Sequence, residues 1–281
     1  MRIELSREYG AAFVACEAQL TFCKPLFLAS AAGGNVRNAC HGGKFEGALV
    51  PNPIELFDDP HFAYRRQREE WRRLSAATLL ADSDSVQVEV LALLEDMLAG
   101  IGLALSGSQW GAVSNGRYLC GLLVSFIRTQ FIALDLVVSS ELIEASTLLR
   151  KQLELMARIH EVSLSKDAAT LHKVTPNVRH VQSNMRGLYG LYSEVAHSSH
   201  PDHFELMGSG EGNNAAFTSL YPKYSRNTLI ALQHHALLGL EFALWAEGFV
   251  KANKIADLDP KLLGMVGRVG MLLESLVPEM D

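Results

Sequence analysis

The stretch RGLYGLYSEVAHSSHPDH, residues 186–203, gathers more chemically capable side chains than any other in this chain of 281 residues. Ser193 and His197 stand four apart, and Glu194 and His197 three apart, so on a helix they share one flank. An earlier stretch, LLRKQLELMARI (148–159), places Arg150 and Glu154 four apart on one face. A guanidinium, a carboxylate, a hydroxyl and an imidazole on two neighbouring helices are the parts needed to hold a phosphate or move a proton. Arg150, Glu154, Ser193 and His197 are therefore the candidate site. The plainer reading is that Arg150 and Glu154 form a surface pair, worth about 0.2–0.5 kcal/mol, and that His197 serves only its own helix end.

The same segment admits a second chemistry. His197, His200 and His203 are spaced by three, with Glu194 upstream, and three imidazoles with a carboxylate would complete a tetrahedral metal site. Pro201 stops a helix between them, so His203 need not share a face with His197. No HExxH or cysteine-bearing zinc spacing accompanies the set. The glycine-rich GGNVRNACHGG (33–43) lacks the lysine–serine ending of a phosphate loop, and no Gly-x-Ser-x-Gly elbow occurs, so no cofactor is expected.

The elements that must position these residues read as helices. Between Pro60 and Pro176 no proline occurs, and apolar residues recur there at helical spacing. A first helix is expected over 6–22, followed by an irregular Gly/Pro-rich arm over 32–60. From His61 the chain turns helical again, with Arg65, Arg66, Arg68, Arg72 and Arg73 on a face expected to be solvated. Asp84 and Gln87 form a capping-box signature that opens the next helix. Ser114 is expected to start a long apolar helix to Val138, in which a buried Arg128 would need an acidic partner. Ser139 and Ser140 should turn the chain into a tight helical hairpin, with a serine as N-cap of the helix that carries Arg150. Further helices are expected over 179–197, 226–253 and 259–276. Of the adjacent His234 and His235, one is expected to be a hydrogen-bonded core histidine. The fold class is all-α, a multi-helix bundle over 61–281 preceded by the helix and arm of 1–60.

Composition narrows the function classes. Apolar residues make up 48% and charged residues 20% of the chain, which points to self-association as a homo-oligomer, with a dimer the simplest form. Thirty-one acidic against 25 basic side chains leave a net charge of −6, which argues against an extended nucleic-acid surface but leaves room for a local basic patch. Cys16, Cys23, Cys40 and Cys120 make no CxxC and read as reduced thiols, and the charged first ten residues carry no leader, so a cytoplasmic location is expected. The apolar stretches 118–138 and 229–246 contain Arg128, Asp135, His234, His235 and Glu241, so neither is expected to span a membrane.

The pairing of LLRKQLELMARI with LYGLYSEVAHSSHP (188–201) resembles an uncharacterised bacterial all-helical family within the HEPN-like group. The likeness rests on an Arg-x-x-x-Glu helix and a Tyr-x-x-x-Ser/Ala-x-x-x-His helix ending at a His-plus-Pro turn, and it covers about 115–250. It implies a helical bundle, often dimeric, in a group that includes metal-independent ribonucleases of defence and toxin systems. Those enzymes place an arginine ahead of a histidine with four to six residues between them. Here the arginine would have to stand at 190, 191 or 192, which are Gly190, Leu191 and Tyr192. His200, His203, His160, His172 and His234 also lack it. The reading that follows is a HEPN-like binding protein acting through a protein or RNA partner. Metal-independent cleavage of RNA or handling of a nucleotide by Arg150, Glu154, Ser193 and His197, and metal binding by Glu194, His197, His200 and His203, stand as the alternatives.

Overall fold

Helix starts in this chain are fixed by short acidic or polar caps. Asp59 accepts the His61 backbone N–H at 2.8 Å, with Pro60 in the first turn, and so opens α1 (Pro60–Asp82). Asp84 accepts from the Gln87 N–H at 3.1 Å while the Gln87 side chain accepts from the Asp84 N–H at 2.9 Å. That reciprocal box opens α2 (Ser85–Ser106), as its spacing predicts. The structure, a computed structural model, describes residues 59–181, 183–198 and 217–275, with 203, 206, 207, 209 and 210 between them. The first helix and most of the arm expected before residue 60 lie outside the described residues.

The next helix, α3 (Gly116–Val138), begins two residues later than Ser114. The reason is steric. A Cβ on residue 116 would sit 2.3 Å from the Trp110 carbonyl oxygen, so the close return of the 107–115 loop requires glycine there. Asn115, at φ 58°, ties this start to the far end of the next helix: its amide donates to the Ser165 carbonyl at 2.8 Å and its oxygen accepts from the Ala168 N–H at 3.2 Å.

The hairpin into α4 (Leu142–Leu164) forms where the two serines predict it, but neither serine caps it. Ser139 Oγ turns back to the Asp135 carbonyl, and Ser140, at φ 60°, meets Thr228 Oγ1 at 3.0 Å. Glu141 holds the cap position without a capping hydrogen bond. Its carboxylate, almost fully buried, is clamped by Arg68 and by Arg72 Nε at 3.8 Å, so two arginines of the supposedly solvated α1 face serve an internal ion pair. Arg128, which would need an acidic partner only if buried, is exposed.

After α4, two short 3₁₀ turns (Ala168–Leu171 and Val178–His180) lead into α5 (Ser183–Ala196). Two-residue strands, Ser209–Gly210 and Phe217–Thr218, pair antiparallel with Ser209 opposite Thr218. Then come α6 (Arg226–Asn253) and α7 (Pro260–Ser275). The molecule is thus an all-helical bundle. Its centre is α6, buried on nearly all sides, which packs on α2, α3 and α4. Phe126 of α3 and Phe242 of α6 stack at 4.4 Å between ring centres in the middle of the core. By length and composition α3 and α6 are both apolar enough to cross a membrane; 89% of the α6 window is buried inside the protein, against 44% of the α3 window.

Candidate functional site

Helices α4 and α5 lie antiparallel, since Arg150 meets His197 while Glu154, one turn further along α4, meets Tyr189, two turns earlier on α5. Arg150 Nη1 lies 3.0 Å from His197 Nε2 on the solvent-facing side of this pair. Arg150 Nε is 3.2 Å from Glu154 Oε1, an ion contact within one helix turn. Tyr189 donates its hydroxyl to the same carboxylate oxygen at 3.4 Å, and its ring lies under the guanidinium, 5.5 Å from Cζ. The arginine is therefore held along its inner edge and by its flat face, and its Nη end points to the imidazole.

A guanidinium has donors only, so in this contact Nε2 of His197 must accept and the ring proton sits on Nδ1. His197 follows directly on α5: its backbone N–H donates to the Ser193 carbonyl at 3.0 Å, and Ser198 follows at φ 48°. The ring is exposed. Ser193 is half-buried one turn before it, and its hydroxyl makes no hydrogen bond among the described residues. Three of the four candidate residues thus form one run of contacts, His197 to Arg150 to Glu154, and Ser193 stands one turn from His197 without a hydrogen bond among the described residues.

The alternative metal set is placed differently. Glu194 Oε2 is 3.9 Å from His203 Nε2, while His197 faces Arg150. His200 lies outside the described residues. Among those that are described, no three His, Cys, Asp or Glu side chains gather at metal-binding distance.

Behind the surface pair a layer of polar groups crosses the bundle at one height. The Tyr192 hydroxyl, one turn before Ala196 on α5, meets His234 Nδ1 of α6 at 2.6 Å. Gln130 of α3 donates to the His235 carbonyl at 2.9 Å and lies 3.1 Å from His235 Nε2, and Gln152 of α4 donates to Gln130 Oε1. Gln130, Gln152 and His235 are all 1% exposed or less. Burial holds His234 down at about 4 and His235 down at about 3, and it pushes the Tyr192 phenol up, so at neutral pH the layer carries no charge. One level further along α4 and α6, His160 Nε2 stands 3.8 Å from the buried Glu241 carboxylate.

Sequence spacing alone selected Arg150 and His197 but passed over Tyr189, although it is the tyrosine of the Tyr-x-x-x-Ser-x-x-x-His pattern and falls on the His197 flank at steps of four. The Gln130–Gln152–His235 layer leaves no local signal, because its members come from three helices. Of the two adjacent histidines, both rather than one are hydrogen-bonded inside the bundle. No family model, curated protein or solved structure matches this chain.

Proposed function

We propose that the chain is a HEPN-like helical-bundle binding protein, and that Arg150 and His197 together grip one phosphate of an RNA partner on the open α4–α5 surface. The observation that carries this reading is the 3.0 Å contact between Arg150 Nη1 and His197 Nε2 at the solvent edge. Glu154 and the Tyr189 ring fix the guanidinium, so ordering it costs little when an anion arrives. A phosphate oxygen is a stronger acceptor than an imidazole nitrogen and can take the Nη donors in its place. The imidazole, freed from the guanidinium, then donates to the same phosphate once protonated. A single such grip suits a chain with net charge −6, which has no surplus of cations for a long backbone track. The RNA class comes from the resemblance.

The same contact favours a second reading, metal-independent cleavage. In it His197 Nε2 removes the proton of a ribose 2′-hydroxyl, whose oxygen attacks the adjoining phosphorus. The P–O5′ bond breaks, the 2′,3′-cyclic phosphate forms, and the leaving 5′-oxygen takes a proton from solvent while Arg150 offsets the phosphorane charge. The absence of an arginine at 190, 191 or 192 ranks this second.

Fluorescence anisotropy with a labelled 12-nucleotide single-stranded RNA tests both. Arg150→Ala and His197→Ala should each weaken binding by about tenfold, corresponding to a charge-assisted hydrogen bond of about 1.5 kcal/mol. Unchanged affinity in both variants would overturn the site. Shortening of the RNA by the wild-type protein in EDTA, abolished by His197→Ala, would promote the second reading to first.

A further inference from the structure

One face of α2 and α3 is covered by no other described element, and it has the pattern of an interface. Gly121, Val124, Arg128, Ile132 and Asp135 are all exposed and follow one another at steps of three and four, so they form a single stripe along α3. Leu103 of α2 and Val124 and Ile132 of α3 are 75%, 51% and 52% exposed. Between them runs a groove of about 520 Å³ lined by Gly102, Leu105, Trp110, Cys120 and Ile127, with Arg128 at its edge. Contiguous apolar surface bordered by charges marks an association site rather than ordinary scattered exposure.

Among the described residues the charges on this face do not close within one chain. Arg128 forms no ion pair among the described residues. Asp135 lies seven residues further on, about 10 Å along the helix at 1.5 Å per residue. It faces Glu95 of α2 instead, and burial together with the Asp135 and Asp96 carboxylates holds the Glu95 carboxyl above the usual carboxylate range. None of the three acids pairs with a base among the described residues. An unpaired cation and an uncompensated acidic group, displaced along one apolar face, are the two halves of a contact that a two-fold axis completes twice.

We infer that two copies of this chain associate through the α2–α3 face, antiparallel about a two-fold axis near Phe131 and Ile132, so that Arg128 of each copy meets the Glu95–Asp96–Asp135 cluster of the other. The midpoint of 128 and 135 fixes the axis, and Ile132 then packs near its own counterpart. A 23-residue helix is about 34 Å long, so two neighbouring helices about 10 Å apart present roughly 700 Å² per copy, close to the ~800 Å² per partner of a stable interface. The same pairing covers the apolar side of α3 that the bundle leaves bare.

Light scattering on the full chain during size-exclusion chromatography tests this. The wild type should give twice 30.8 kDa. Arg128→Glu should give the monomer mass, because it faces acid with acid, and the pair Glu95→Lys with Asp135→Lys should do the same by facing Arg128 with lysines. Mixed together, these two monomeric variants should form a one-to-one dimer, since both contacts are then attractive. Far-UV circular dichroism checks that each variant is helical, and recovery on mixing shows it independently. A monomeric wild type at about 200 μM, a dimer indifferent to Arg128→Glu, or two folded variants that stay apart on mixing would each overturn the inference.

Discussion

Arg150 is a surface arginine held as firmly as many buried ones. Glu154 and Tyr189 fix two sides of its guanidinium, and among the described residues His197 is the contact that a ligand can displace without dismantling the helix pair. The Arg150–Glu154 half of this arrangement was legible in the sequence, because a spacing of four on a helix dictates neighbourhood. The approach of His197 followed only from the expectation that two helices pack side by side. Gln130 was not legible at all: its partners His235 and Gln152 stand 105 and 22 residues away. At this scale the telling residue is Gly239 of α6. A Cβ there would lie 2.7 Å from Leu94 Cδ1 and 2.8 Å from Gln130 Nε2. Leu94 can swing away, but Gln130 is pinned by His235 and Gln152. Gly239→Ala should therefore lower stability by about 1–3 kcal/mol despite the better helix propensity of alanine, read as a shift of the urea unfolding midpoint.

Helix boundaries succeeded in the sequence where a cap is local and failed where a distant partner decides. Asp84 and Gln87 satisfy each other within one turn, and α2 starts where that spacing puts it. Asp84→Ala should cost about 1 kcal/mol, measurable by the same urea titration, and Asp84→Asn should recover most of it. Across the α3–α4 turn the choice is tertiary. Thr228 draws Ser140 away from capping, and Arg68 and Arg72 draw Glu141 inward. The start of α3 slipped from Ser114 to Gly116 for a similar reason, since the Trp110 carbonyl sits where any larger residue's Cβ would be. Composition pointed to self-association, yet nothing short of the packed helices reveals that the exposed face of α3 carries Arg128 and Asp135 out of reach of each other.

The layer of Tyr192, His234, Gln130, Gln152 and His235 is neutral and buried, and its two histidines make the stability of the bundle depend on pH. In the unfolded chain His234 and His235 titrate near 6.5, whereas burial holds them near 4 and 3 in the fold. Above pH 6.5 neither state binds the protons and their contribution is complete. As the pH falls from 6.5 toward 4 the unfolded chain takes up two protons that the fold refuses, so stability drops by about 1.4 kcal/mol per histidine per pH unit. Urea midpoints at a series of pH values between 7.5 and 5 should show this fall, and His235→Gln should make it shallower. The all-helical architecture itself was the part most readable beforehand, because long proline-free runs with 3.6-residue periodicity leave little alternative. The surface site was readable as candidates and not as geometry. The salt dependence of RNA binding reaches the claim that unites them, that Arg150 and His197 form one phosphate grip. Plotting log K against log salt for the wild type and Arg150→Ala, the account predicts that the variant's slope is shallower by about 0.7, the loss of one single-strand phosphate contact. Identical slopes with identical affinities would contradict it.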